Sequence, residues 1–142
     1  MAQNEALGLL EEKDAIREVM ARYCFALDDG RFADMAALFT EDGTWQTFFG
    51  KATGREAIAE FAAGLRAHRT ENPRAIHHVT NIVITLDGDT AKVRSNWTTV
   101  QNAPEGPKIG SGGAYDDEMV KVGGQWFFKH RTIDRYIRPE KE

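Results

Sequence analysis

Apolar positions in the first third of the chain recur with helical spacing. Between residues 14 and 27, Ile16, Val19, Met20, Tyr23 and Leu27 fall at i, i+3, i+4, i+7 and i+11, one buried face of a helix that Gly30 then stops. A second helix is predicted over 32–39, with Phe32, Met35, Ala36 and Phe39 on one side and "TEDG" at its end. "TWQTFF" reads as a short strand. "TGRE", Thr53 to Glu56, has the form of a capping box and opens a third helix whose apolar face is Ile58, Phe61, Ala62 and Leu65.

After the polar stretch "HRTENPR", predicted as a loop, the period changes from that of a helix to that of a strand. Strands are predicted over 76–86, 91–100, 112–122 and 125–136, separated by "DGDT", "NAPEGPK" and "GG". Helices first and antiparallel strands after predict an α+β domain, a cone-shaped barrel in which three N-terminal helices pack on a strongly curved, mostly antiparallel sheet. Such a cone opens between its two layers, a common place for a small-molecule site.

Length and composition narrow the classes. A chain of 142 residues supports one core, so residues 1–142 are taken as a single domain with its core at about 11–136. The net charge of −4, with basic residues scattered among acids, argues against nucleic acid as a partner. Cys24 is the only cysteine, which excludes an intramolecular disulfide and a thiolate zinc cage. "MAQNEALGLLEEKD" has acids where a leader peptide needs bases, and no apolar run approaches a membrane span; a cytoplasmic protein without a membrane partner is the expectation.

Within that frame a few polar residues stand out. Turning about 100° per residue from Ile16, Tyr23 and Leu27 stay near the buried face, Asp28 falls at its edge beside Cys24, and Asp29 points toward solvent. Asp28 is therefore a candidate base or base orienter, against the plainer alternative of a solvated helix-end carboxylate. In "IHHVTNIVI" strict alternation puts His77, Val79, Asn81 and Val83 on one face and His78, Thr80, Ile82 and Ile84 on the other. The first face is taken as cavity lining, while a bulge near the strand start would exchange His77 and His78. A carboxylate that accepts from one imidazole nitrogen leaves the other free to take a proton, so Asp28 and His77 are a candidate general-base dyad. In the last strand Arg131 lies among apolar neighbours; it either holds a substrate anion or leaving group or pairs with Asp116, Asp117 or Glu118.

Other signals fade. "GSGG" leads into a strand, not a helix, so it offers no phosphate cradle. There is no HExxH or metal-ligand spacing, and His68 and His130 stand alone, so no metal or other cofactor is expected. Cys24, midway along a helix, reads as packing.

The blocks "YCFALDDGRFADMAALFTEDGTW", "GREAIAEFAAGL", "HHVTN" with "DGDTA", and "GGAYDDEMVKVGGQWFFKHRTI" resemble the SnoaL-like branch of the nuclear transport factor 2-like superfamily, over about residues 11–136. The pattern is most similar to the branch of hexachlorocyclohexane dehydrochlorinase and scytalone dehydratase. That resemblance implies that Asp28 and His77 form the proton-abstracting pair, that Arg131 is a cavity arginine, and that Tyr23 stands where ketosteroid isomerases carry an oxyanion-binding tyrosine. Thr47 occupies the isomerase's base position and cannot act as one, which disfavours ketosteroid isomerisation. It further implies a homo-oligomer, dimer or trimer, built through the sheet, with His78 and Thr80 available to that interface.

The expected function is a cofactor-independent lyase, of dehydratase or dehydrohalogenase type, on a small apolar or cyclic substrate. Asp28 and His77 are the catalytic candidates, and Tyr23, His78, Asn81 and Arg131 the substrate-binding ones. The alternatives are an isomerase or polyketide-type cyclase using the same cavity, or a non-catalytic binding or structural subunit like the small subunit of ring-hydroxylating dioxygenases.

Overall fold

Tyr23, Met20 and Ile16 line up one turn apart on the first helix, and all three are buried against the sheet. A computed structural model describes residues 2–68 and 74–139. Its elements run α1 (Ala2–Asp28), α2 (Phe32–Ala36), β1 (Phe39–Thr47), β2 (Gly50–Thr53), α3 (Arg55–Ala67), β3 (Ala75–Asp87), β4 (Thr90–Gln101), β5 (Lys108–Val122) and β6 (Gln125–Ile137). The helices pack on one six-stranded curved sheet of order β2-β1-β6-β5-β4-β3, antiparallel except for the β1–β6 pair. This is the predicted α+β architecture. Most of the "HRTENPR" loop, residues 69–73, lies outside the described residues.

The boundaries differ from the sequence pattern in three instructive places. Helix α1 begins far upstream of residue 14, but Leu7, Leu9 and Leu10 on that extension are each more than half exposed. Buried spacing therefore marked only the packed part. Helix α2 ends at Ala36 because Phe39, predicted on its face, opens β1 and is fully buried beside Phe128. The capping box at Thr53 does not form: Thr53 closes β2 opposite Thr44, and Gly54 caps α3 without a side-chain bond. Pairing in the sheet outcompeted the local cap.

Two strands change face partway along. In β4 alternation is regular, with Ala91, Val93, Ser95 and Trp97 buried. In β3 the register slips between Thr80 and Val83, and Asn81 takes a left-handed φ of 54°. Inward positions are thus Val79 before the bulge, then Ile82, Ile84 and Leu86 after it. In β6 a slip opposite Glu118–Met119 likewise turns Trp126 and Phe128 inward on one side, and Arg131 inward on the other. Among the described residues, no helix is long and apolar enough to cross a membrane.

Candidate functional site

Between the helices and the concave side of the sheet lies a cavity of about 760 Å³, a size typical of small-ligand sites. Trp45, Phe48, Phe49, Trp97 and Tyr115 give it aromatic walls, with Leu27, Leu65 and Ile133 adding aliphatic ones. Phe128 is not on the wall; it fills the core against Tyr23 and Phe39. The rings are ordered: Phe48 and Trp97 lie 6.2 Å apart at 8°, and Trp97 and Tyr115 lie 6.0 Å apart at 22°. Trp97 is further fixed by donating its indole N–H to the Asp134 carbonyl at 3.1 Å.

Helix α1 ends at Asp28 on this wall, and β3 enters it at His77. Asp28 Oδ1 lies 2.5 Å from His77 Nδ1, and the His77 backbone N–H donates to Oδ2 at 2.8 Å. Both oxygens of one carboxylate are therefore spent on one residue. Facing a carboxylate, Nδ1 carries the proton, which leaves the lone pair on Nε2. The two side chains are largely buried, Asp28 8% and His77 16% exposed, but both border the cavity. The bulge that reorders β3 lies beyond the histidines, so His77 stays inward and His78 faces out, exposed.

The end of α1 is pinned by two arginines that the sequence pattern did not single out. Arg66 donates through Nη2 to the Leu27 and Asp28 carbonyls at 2.9 and 3.3 Å, and Arg74 donates to the Asp28 carbonyl at 2.8 Å. The Leu27 carbonyl otherwise accepts only from the Gly30 N–H past the helix end, at 3.2 Å, so the guanidiniums complete the bonding of these last carbonyls and offset the helix's negative end. Arg66 was visible only as a basic residue in the last turn of α3; nothing local marks Arg74. Thr99, opposite His77 in the β3–β4 register, and Ser111, whose N–H donates to Thr99 Oγ1 at 2.9 Å, add polar wall. Regular alternation from Trp97 would have found Thr99.

Tyr23 borders the cavity and accepts a bond from Trp45 Nε1 at 2.9 Å. Burial pushes its phenol up to about 12 despite the nearby Arg131 charge, so it keeps its proton. Two further candidates are not on the wall. Asn81 sits at the bulge on the exposed face and donates to Asn96 Oδ1 at 2.9 Å; the bulge reversed the alternation that had placed it inside. Arg131 has no solvent exposure and forms a two-point pair with Asp117 at 2.8 and 2.9 Å. The rings of Tyr23, Tyr115 and Phe128 surround its guanidinium, with centroids 4.3, 3.8 and 4.3 Å away. Its proton affinity is raised by Asp117, against the effect of burial. Of the two alternatives for this residue, the structure shows the ion pair. Thr47, at the isomerase's base position, bonds the β1–β2 turn through Phe49 and Gly50.

A second hollow, about 450 Å³, lies on the outer sheet face around Val83, Lys92, Arg94, Glu118 and His130. It is an open charged surface and lacks the dyad. Among the described residues no group of three or more His, Cys, Asp or Glu side chains is placed to hold a metal ion.

A curved, mostly antiparallel sheet closed by helices over a cavity is the architecture of the cystatin-like, or nuclear transport factor 2-like, class of small α+β proteins. Within it the chain belongs to the SnoaL-like domain family, whose model matches residues 9–132. Rv3472 of Mycobacterium tuberculosis, a protein of unknown function, is similar in structure with a TM-score of 0.83 and 28% identity, over 92% of this chain and 75% of that one. A scytalone dehydratase-like protein of Novosphingobium aromaticivorans is 30% identical, with a TM-score of 0.75 over 94% and 95% of the two chains. The beta subunit assigned to an aromatic-ring-hydroxylating dioxygenase of the same organism shares the fold at 22% identity, with a TM-score of 0.79 over 92% and 93%. No curated protein matches the sequence.

Proposed function

We propose that the protein is a cofactor-independent lyase of dehydratase or dehydrohalogenase type. His77 Nε2 takes a proton from a substrate carbon, the C–H electron pair becomes a double bond, and a halide or hydroxyl leaves from the adjacent carbon. A departing hydroxyl takes its proton back from the imidazolium and leaves as water. Asp28 holds the ring in the tautomer that exposes Nε2 and stabilises the imidazolium while it lasts. Tyr23, still protonated, is the donor for oxygen charge that develops beside it, its ring packed against the buried Arg131–Asp117 pair. The observation that carries the proposal is the 2.5 Å contact between Asp28 and His77 on the wall of the aromatic cavity. The similarity to a scytalone dehydratase-like protein supports the reaction class.

The test is a screen of small cyclic alcohols and halides with product analysis, repeated on His77→Ala and Asp28→Ala. Elimination releases water or halide, and both variants lose it. Turnover that survives both substitutions sinks the dyad. A product isomeric with the substrate moves the assignment to an isomerase or cyclase built on the same proton abstraction. Copies of the chain would meet on the outer face near His78, Thr80 and the exposed Val83, and sedimentation of Val83→Lys tests that contact.

A further inference from the structure

In β5, Tyr115 is 1% exposed and borders the cavity. Its ring is fixed by three neighbours: it meets Tyr23 edge to face at 5.9 Å, stacks on Trp97, and carries the Arg131 guanidinium on its face. Its hydroxyl, by contrast, makes no hydrogen bond with any described residue. Nor is that oxygen sealed in the interior: among the described residues the enclosed polar side-chain atoms without a partner are Ser95 Oγ and Arg131 Nη1, neither of them on the cavity wall. The Tyr115 oxygen therefore opens onto the cavity. Burial holds its proton well above the usual phenol range, with Tyr23 adding to the rise and Arg131 opposing it, so at neutral pH the group is a donor. Tyr23 beside it accepts from Trp45 and gives its own proton to no described acceptor. Phenylalanine at position 115 would pack on the same three neighbours without burying a donor that the protein leaves unmet. Packing accounts for the ring and not for the hydroxyl.

We propose that Tyr115 is a substrate-contacting, specificity-determining residue of this cavity, its O–H donating to an uncharged acceptor oxygen, of carbonyl type, on a ring compound that lies against Trp97. The proposal rests on reading the cavity as a substrate site and adds a second donor to Tyr23, one that proton abstraction by His77 does not by itself require. Trp97 brings base and donor within reach of one ligand, since its ring is 6.1 Å from that of His77 and 6.0 Å from that of Tyr115. A ring seated on this wall displaces solvent from the phenol. A hydrocarbon then leaves a nearly buried donor bare, whereas a carbonyl oxygen answers it. An acceptor without charge suffices, because Arg131, the cation on the Tyr115 ring, is already matched by Asp117.

The experiment compares 2-acetylnaphthalene, ¹³C-labelled at the carbonyl, with 2-ethylnaphthalene, similar in shape and without an acceptor, by ligand-observed NMR on the whole chain and on Tyr115→Phe. The substitution removes only an oxygen that bonds nothing in the protein, so the variant folds, and its binding of the hydrocarbon verifies this. Expected is a Kd for the ketone that rises about 3- to 10-fold in the variant, the loss of one hydrogen bond, while that of the hydrocarbon holds. The carbonyl resonance of the bound ketone lies further upfield in Tyr115→Phe than in the native protein, because a donor has gone. An equal loss for both probes assigns Tyr115 to packing and overturns the proposal. So does a ketone whose affinity and carbonyl resonance ignore the substitution, and so does a native protein that binds neither probe. The lyase assignment is read separately, from turnover and from the histidine spectra of Asp28→Asn, so either can fail without the other.

Discussion

Asp28 holds His77 at two points, Oδ1 on the ring at 2.5 Å and Oδ2 on the backbone N–H at 2.8 Å. The second contact fixes the start of β3 against the end of α1, and the first sets which ring nitrogen faces the cavity. Position and protonation are thus governed by one side chain.

Asp28→Asn separates the two roles. The amide oxygen still accepts from the His77 N–H, while the ring loses its anionic partner. Turnover falls by about 10²–10⁴-fold, the usual loss when an oriented base is removed or mis-set. Long-range ¹⁵N–¹H spectra of the His77 ring will show the Nδ1–H tautomer dominant in the native protein and mixed in the variant. A single unchanged tautomer in both would refute the orienting role.

Arg131→Met leaves the Asp117 carboxylate buried with no counter-charge. Such losses cost about 3–5 kcal/mol, and urea denaturation measures it. Arg131→Met combined with Asp117→Leu recovers most of the stability, because no orphan charge remains. If the double variant is as unstable as the single, the ring-lined guanidinium matters through packing rather than through the pair.

Glycine substitutions divide sharply by place. A Cβ at Gly113 would overlap the Asp134 carbonyl of the neighbouring strand. Backbone has no easy retreat, so Gly113→Ala loses several kcal/mol, on the order of an overpacked core site or more. Gly8, on the exposed start of α1, meets nothing within 4 Å. Gly8→Ala is neutral or raises stability by up to about 1 kcal/mol. Thermal melts of the two variants check both.

Burial pushes the Cys24 thiol up to about 11 from 9.0, with the Asp28 charge adding to the rise and Arg131 opposing it. At pH 8 its thiolate fraction is about a hundred-fold below that of a free cysteine, and iodoacetamide labels it correspondingly slowly until the protein unfolds. The folded thiol holds its proton more tightly than the unfolded one. Its contribution to stability is therefore complete below pH 9 and is lost as pH rises through about 11. Labelling at the free-thiol rate in native buffer would contradict this burial.

Asn81, at φ 54°, occupies a backbone region that asparagine and glycine tolerate and branched residues do not. Asn81→Gly is nearly neutral, whereas Asn81→Val costs about 1–3 kcal/mol, measurable in the same denaturation assay. Equal stability of the two would mean the bulge relaxes without a left-handed residue.

Asn81 also marks where sequence reasoning stopped being reliable. Helical spacing identified the packed half of α1, and strand alternation placed His77 inward, because each depends on a local period that packing preserves. A bulge breaks that period by one residue, and nothing in "VTNIVI" announces it. Everything after Asn81 then changes face, so Val83 is exposed and Ile84 buried. The slip in β6 had the same effect, since it put Arg131 on the face of Trp126 and Phe128, which strict alternation had opposed. The dyad was legible because both partners lie on the regular side of their elements. Arg66 and Arg74 were not, because bonding the end of another helix is a tertiary relation with no local signature.

The carbonyls that close α1 are held from α3 and from the entry to β3, so Asp28 stands at a knot tied by three elements rather than on a loop of its own. Nothing in that knot can loosen alone: heat that frees the helix end also parts the layers it joins. Inactivation on warming should then coincide with loss of the fold instead of preceding it, and the site inherits the cooperativity of the whole domain.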